Sequence, residues 1–269
     1  MGIDDPAANN QSDPVPERRA TRLRVVADAA AEHPSETRTR RGRLLAVCGL
    51  CGGAGASTIA YLTALAAARS QRGDVLLADT GGPGGGISYY TGVATPRSLG
   101  EVAELLEAGL PVAQLLATTR EGLRVLATAP RFTTECARDG VELLLDHARA
   151  RYTLTVIDCG TLARQADHHA LANASHVAWV LPATGGGVDR GRKTLDALAP
   201  HPSARELLFV RHEPSAGRRA LRELRDLARE RRAPLILLPS FPELTTGNTT
   251  AALKTAQVPL QAILGALAR

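Results

Sequence analysis

The chain is poor in lysine and in aromatic side chains. Lys193 and Lys254 are its two lysines, and Phe, Tyr and Trp together make up 3% of 269 residues. Cysteine is scarce too: four in a chain of this length do not form a disulfide framework, which points to a reducing, cytoplasmic setting. No apolar run reaches the ~18–20 residues needed to cross a bilayer. The opening stretch "MGIDDPAANNQSDPVPERR" lacks the apolar core of a secretory leader. Gly2 invites myristoylation, but Pro6 stands where that signal needs Ser or Thr.

What is present is Ala, Arg and Gly in abundance, the compositional mark of a GC-rich bacterial genome. With 44% hydrophobic and 22% charged residues, the chain fits one sizeable soluble domain plus a tail. The net charge of +5 is unevenly spread. Residues 1–43 carry eight Arg against seven acids, whereas Arg211–Arg232 carries eight Arg against four. That local cluster, rather than the global balance, is the lead toward an acidic partner.

Residues 1–43 show no sustained apolar period and read as a disordered tail that the fold does not need, with a transient helix over Arg18–Ala31. From Leu44 to Arg269 the pattern changes. Seven strand candidates appear: "RLLAVCGL", "DVLLADT", "GLRVLAT", "YTLTVIDCG", "SHVAWVLPAT", "ELLFVRH" and "APLILLP". Helical patterns separate them at 57–70, 99–107, 134–151, 163–173, 188–198 and 216–231, with two short ones after Thr246. The expectation is an α/β fold: a mostly parallel sheet of seven to eight strands with helices on both faces. Ligands of such sheets sit beyond the carboxyl ends of the strands. That rule selects Gly49–Ala56, Asp79–Gly86 and the strand end at Asp158.

"VCGLCGGAGASTIA" looks like a phosphate loop without its lysine. Such loops follow G-x-x-x-x-G-K-S/T between a strand and a helix, where backbone N–H groups cradle an anion. With Gly55 as the second glycine, Leu50 replaces the first, Ala56 replaces the lysine and Ser57 keeps the magnesium hydroxyl. Alternatively, the glycines serve only a packed strand–helix turn.

The order "CGGAGAST", then "VLLADTGGPGGG", then "YTLTVIDCG" resembles the MinD/ParA superfamily of deviant P-loop ATPases. There the loop reads K-G-G-x-G-K-S/T-S/T, the second strand ends in D-x-D-P and a later strand ends in Asp. "EGLRVLATAP" is similar to the third strand of that group, and "LILLPSFPEL" to its last strand and Pro-containing loop near the adenine. The resemblance spans about Leu44–Leu267. "GGAGAST" further resembles the TadZ/CpaE branch and its septum-site-determining-like relatives, which often have alanine at the lysine position.

The resemblance implies that Gly52, Gly53, Ala54, Gly55 and Ala56 hold phosphates, with Thr58 near the α-phosphate. Ser57 and Asp158 would hold magnesium, the latter through water, and Asp79 would match the first aspartate of D-x-D. Three departures follow from the same alignment. Cys51 stands at the lysine that reaches across the dimer, Ala56 at the loop lysine and Gly81 at the aspartate that orients the attacking water. Phosphoryl transfer depends on positioning and charge, and a cross-dimer cation alone is worth roughly 10³–10⁵ in rate. ATP or ADP with magnesium would thus be bound weakly or not at all, hydrolysed negligibly, and not required for folding. The sequence identifies no arginine beside the loop, and Arg190 and Arg192 are only loose candidates.

Other signals read as structural. Cys48 and Cys51 have a redox-type spacing, but Cys48 falls inside a strand and no second pair exists for zinc; Cys136 and Cys159 are isolated. His168–His169 lie on a helix, and Trp179 in a strand reads as core. Tyr89 and Tyr90 are interface anchors or core caps. "AGRRALRELRDLARERR" is a solvated face or a surface for DNA or an acidic partner. The C-terminal "VPLQAILGALAR" lacks the basic, bulky tail of a membrane-binding helix.

The resemblance thus implies a pseudo-ATPase that positions or scaffolds a pilus, secretion or septum-associated assembly. It would work as a homodimer through the Gly52–Gly53 and Gly81–Gly86 face, without membrane insertion. The alternative is a ParA-like chromosome or plasmid partition protein that binds nonspecific DNA through the arginine-rich helix 216–232.

Overall fold

The computed structural model describes residues 42–70, 74–80, 86–93, 99–111, 115–127, 138–198, 201–211 and 217–268, apart from the side chains of 100, 138 and 139. The tail up to residue 41, Gly81 and Cys136 lie outside the described residues. Gly42 and Arg43 already belong to the packed domain: Gly42 N–H donates to the Arg149 carbonyl at 2.8 Å, and Arg43 opens the first strand.

Eight strands form one sheet: β1 (Arg43–Gly49), β2 (Val75–Asp79), β3 (Ala117–Thr118), β4 (Arg124–Leu126), β5 (Leu154–Asp158), β6 (His176–Pro182), β7 (Arg205–Arg211) and β8 (Leu235–Leu238). Their order is β3-β4-β2-β5-β1-β6-β7-β8, with every neighbouring pair parallel except β3 and β4. This is the expected α/β architecture. All seven anticipated strands are present, and β3 is the eighth. The central strands are apolar runs rather than alternating ones because both of their faces are covered.

One face carries α3 (Leu99–Glu107), α4 (Arg138–Arg151), α5 (Gln165–Asn173), α6 (Gly185–Ala197) and α7 (Arg218–Glu230). The other carries α1 (Ala56–Arg69), α2 (Gly86–Thr91), α8 (Thr249–Thr255) and α9 (Gln257–Ala268). Trp179 lies buried in the first of these two cores. The C-terminal α9 buries Leu260, Ile263, Leu264 and Leu267, so it is a core helix. No helix among the described residues is long and apolar enough to cross a membrane.

The basic stretch is divided among separate tasks. Arg231 forms a bidentate ion pair with Glu206, Nε to Oε2 at 2.8 Å and Nη2 to Oε1 at 2.7 Å. Its Nη1 also donates to the carbonyls of Leu195 and Leu198. Both side chains are buried, so Arg231 fastens the end of α6 to β7 and α7, and its removal would strand a buried carboxylate. Arg218, Arg222, Arg225 and Arg229 instead follow a helical i, i+4, i+7, i+11 spacing and are exposed.

Candidate phosphate-loop site

The sheet places three chain segments at its carboxyl end. The β1–α1 loop leaves the central strand, and Gly53 (φ 71°) and Gly55 (φ 96°) turn it into α1 through left-handed backbone. Side chains resist that region, which explains glycine at both positions. Gly49 N–H is anchored on the Gly160 carbonyl and Leu50 N–H on the Val180 carbonyl, so the loop is tied to the segments after β5 and within β6. No side chain caps the N-terminus of α1. Its first N–H groups are thus available to an anion, reinforced by the positive end of the helix dipole.

Beside the loop, the register of β2 and β5 sets Asp79 directly opposite Asp158. Both are buried, at 5% and 3% exposure. Burial pushes the Asp158 carboxyl above its ordinary value, opposed by hydrogen bonds from the Ser57 hydroxyl and the Gly160 N–H, the latter at 3.1 Å. The nearby Asp167 carboxylate raises it further. Asp167 was not anticipated from sequence. It accepts from the Thr80 hydroxyl at 2.5 Å and from the Arg164 N–H at 3.0 Å, while Thr80 also donates to the Asp158 carbonyl. Asp167 thus caps α5 and ties that helix to the end of β2, while Thr80 joins β2 to β5, a role set by the fold and without a motif of its own.

Two adjoining cavities, of about 380 and 360 Å³, open over α1. The loop-side cavity is lined by Gly53 to Thr58, Cys51, Gly86 and Gly160 among others. The other has an apolar wall of Leu238, Phe241 and Leu244. They share Ala54, Gly55, Thr58, Tyr90 and Arg211. Each alone is within the usual range for a small-molecule site. Of the residues expected to hold phosphate or metal, Gly53, Ala54, Gly55, Ala56, Ser57 and Thr58 line these cavities. Gly52 is exposed beside them on the loop, while Asp79 and Asp158 lie buried at the strand ends beneath.

Helix α2 closes one side. A Cβ on Gly86 would fall 2.6 Å from the Ser57 Cβ, so only glycine allows this approach. Tyr90 stacks on Tyr61 with ring centroids 5.6 Å apart, and its hydroxyl meets Thr58 Oγ1 at 2.7 Å. Tyr89 is 70% exposed. The two tyrosines therefore differ: Tyr90 is fixed within the cleft by its stacking and hydrogen bond, whereas Tyr89 lines the rim of the apolar cavity and is mostly exposed.

The loose cation candidates lie elsewhere. Arg192 pairs with Glu230 at 2.8 Å, and neither it nor Arg190 lines either of these two cavities. Arg211, the last residue of β7, does line both, and its Nη1 donates to the Gly53 carbonyl at 3.1 Å. The sequence signal for it was only a charged residue ending an apolar strand. Cys48 and Cys159 are buried and Cys51 is half-buried; all three are free thiols. His168 is exposed and His169 half-buried. No cluster of three or more His, Cys, Asp or Glu able to hold a metal occurs among the described residues.

No family profile matches the chain, and no curated protein sequence does. Solved structures match along most of it. A ParA family ATPase from Chlorobium tepidum superposes with a TM-score of 0.68 at 16% identity, over 81% of this chain and 92% of that one. The septum site-determining protein MinD from Pyrococcus horikoshii, complexed with Mg-ADP, gives 0.65 at 16%, over 81% and 93%. A putative plasmid partition protein from Borrelia burgdorferi, bound to AMPPNP, gives 0.63 at 15%, over 84% and 99%. These superpositions, at such low identity, show the fold alone, which is like that of the MinD/ParA P-loop ATPases.

Proposed function

We propose that this chain is a catalytically degenerate MinD/ParA-like protein, of the TadZ/CpaE-like kind, that binds an adenine nucleotide weakly and hydrolyses it negligibly. One observation carries the reading. The loop has left-handed glycines, an uncapped helix N-terminus and Ser57 beside the Asp158 carboxyl, while Cys51 and Ala56 occupy the two lysine positions. A hydroxyl beside a carboxylate is a donor set suited to magnesium, which prefers oxygen ligands and keeps waters. Ser57, and Asp158 through water, would hold the ion, which would offset charge on the β and γ phosphates. The chain's own contribution is positioning: N–H groups for the phosphates and an apolar wall for the base.

Such a protein works by occupying a place. The reading assigns it to positioning or scaffolding a pilus, secretion or septum-associated assembly, as a homodimer meeting across the exposed Gly52–Gly53 surface. Two of the similar structures are a septum site-determining protein and a putative partition protein, which supports a spatial task. Phosphate release at saturating ATP–magnesium tests the chemistry and should stay at the no-protein baseline. Robust turnover that disappears in Asp158→Ala would contradict it.

A second reading is favoured by α7. Arg218, Arg222 and Arg225 are exposed and form no ion pair among the described residues, whereas Arg219 and Arg229 pair with Glu223 and Asp226. A row of this kind fits a DNA backbone. Binding of nonspecific duplex with a log–log salt slope near about −3, lost on replacing the three with Ala, would establish it.

A further inference from the structure

We infer that Arg211 is the phosphate-binding cation of this cleft, taking from the β7 side the role that a lysine fills within an ordinary loop. The inference rests on the nucleotide-binding reading above. It starts from a deficit: a nucleotide phosphate chain carries several negative charges, and the loop residues Cys51 to Thr58 contribute no cation. Backbone N–H groups at a helix N-terminus supply partial charge only.

Arg211 is the one Lys, Arg or His among the described residues lining either cavity. Its location is specific. It lies at the junction that the two cavities share, with Ala54, Gly55, Thr58 and Tyr90. A ligand with phosphates over the loop and a base against Phe241 and Leu244 must pass this junction. The ligand class is therefore a nucleoside di- or triphosphate, whose charge begins where Arg211 stands.

The side chain is also held in place. Nη1 donates to the Gly53 carbonyl at 3.1 Å, which links the end of β7 to the outer shoulder of the loop. A guanidinium carries its five donors in a fixed fork, and the bond to Gly53 orients that fork at the cavity junction. Arginine is suited to this task because its planar fork matches phosphate oxygens and keeps its charge at every working pH. The contact with Gly53 has a second consequence: Arg211 braces the same loop whose charge it supplements, so phosphate and loop conformation are read by one residue.

A brace alone and a phosphate ligand make different predictions. Adenosine, AMP, ADP and ATP are titrated calorimetrically into the full chain and into Arg211→Gln. Adenosine affinity should be unchanged. The loss should grow with phosphate number, reaching roughly tenfold to a hundredfold for ATP, the worth of a charge-assisted bond. Arg211→Lys should keep most of the ATP affinity. Equal weakening of all four ligands, or undiminished ATP binding, overturns the inference and leaves the nucleotide-binding reading standing. Absence of any binding to the full chain at millimolar concentration overturns both. Should Arg211→Gln melt at a lower temperature, the salt dependence of ATP affinity decides: a shallower dependence than in the full chain identifies a lost charge, and an unchanged one identifies a lost brace and overturns the inference.

Discussion

The two halves of the cleft meet the needs of the proposed nucleotide site to different degrees. The loop half keeps its backbone: two left-handed glycines, an uncapped helix start and a carboxylate beside Ser57. It lacks lysine at both expected positions. The other half keeps an apolar wall of Leu238, Phe241 and Leu244, with Tyr90 stacked at its edge. On the proposed reading, the absent groups are those that stabilise charge during phosphoryl transfer, while those that shape a cavity are present. That pattern separates binding from turnover, because shape and N–H groups hold a ligand, but rate requires charge at the transition state.

The most disruptive way to break the comparison is to remove the loop's conformation. Gly55 sits at φ 96°, where a β-branched side chain is strained although the space around it is open. Gly55→Val should lower unfolding free energy by about 1–3 kcal/mol in a denaturant titration and abolish ATP binding. Adenosine binding in the apolar half should weaken less, because its main wall comes from β8 and the turn after it.

The comparison sharpens if charge is returned. Ala56→Lys places a cation in the first turn of α1, so ATP affinity should rise roughly tenfold to a hundredfold by calorimetry. Turnover should stay at baseline, since the water-orienting carboxylate expected at Gly81 is still absent.

A smaller effect follows from pH. The native Asp158 carboxyl is raised above its ordinary value by burial. Between the unfolded and the raised native value, the native state holds more protons, so stability falls as pH rises through that window. Asp158→Asn should weaken this dependence, leaving the share of Asp167, whose carboxyl burial also raises, and should raise stability at neutral pH by on the order of 1 kcal/mol. In the unaltered protein, magnesium-dependent ATP binding should strengthen as pH rises through the same window, because the ion requires the ionised carboxylate. Adenosine binding should be flat there.

Much of the fold could be read from the chain because buried parallel strands are continuous apolar runs, and seven of them stood between helical patterns. The exceptions have physical reasons. Ala117–Thr118 is too short to show a period, and its antiparallel pairing to β4 depends on the turn between them. Helix α2 begins at a glycine because of its approach to Ser57, a tertiary contact that local propensity does not encode. The loop glycines, Ser57 and Asp158 were legible because their spacing is a local requirement of phosphate binding. Arg211 was not, since its contact with Gly53 joins residues 158 positions apart. The split of the basic stretch into a cleft residue, a partner for Glu206 and an exposed row was hidden for a like reason, since tertiary contacts to Gly53 and Glu206 set it.

The most direct test of retained binding with lost turnover is the identity of the nucleotide that the protein holds. The full chain is equilibrated for hours with millimolar ATP and magnesium on a column in the same buffer, and the co-eluting nucleotide is separated by ion exchange. The account predicts that nucleotide co-elutes with the protein and that it is ATP, with no more ADP than the protein-free control. Co-eluting ADP above that control would show a working ATPase, and no co-eluting nucleotide would show that the cleft no longer binds one.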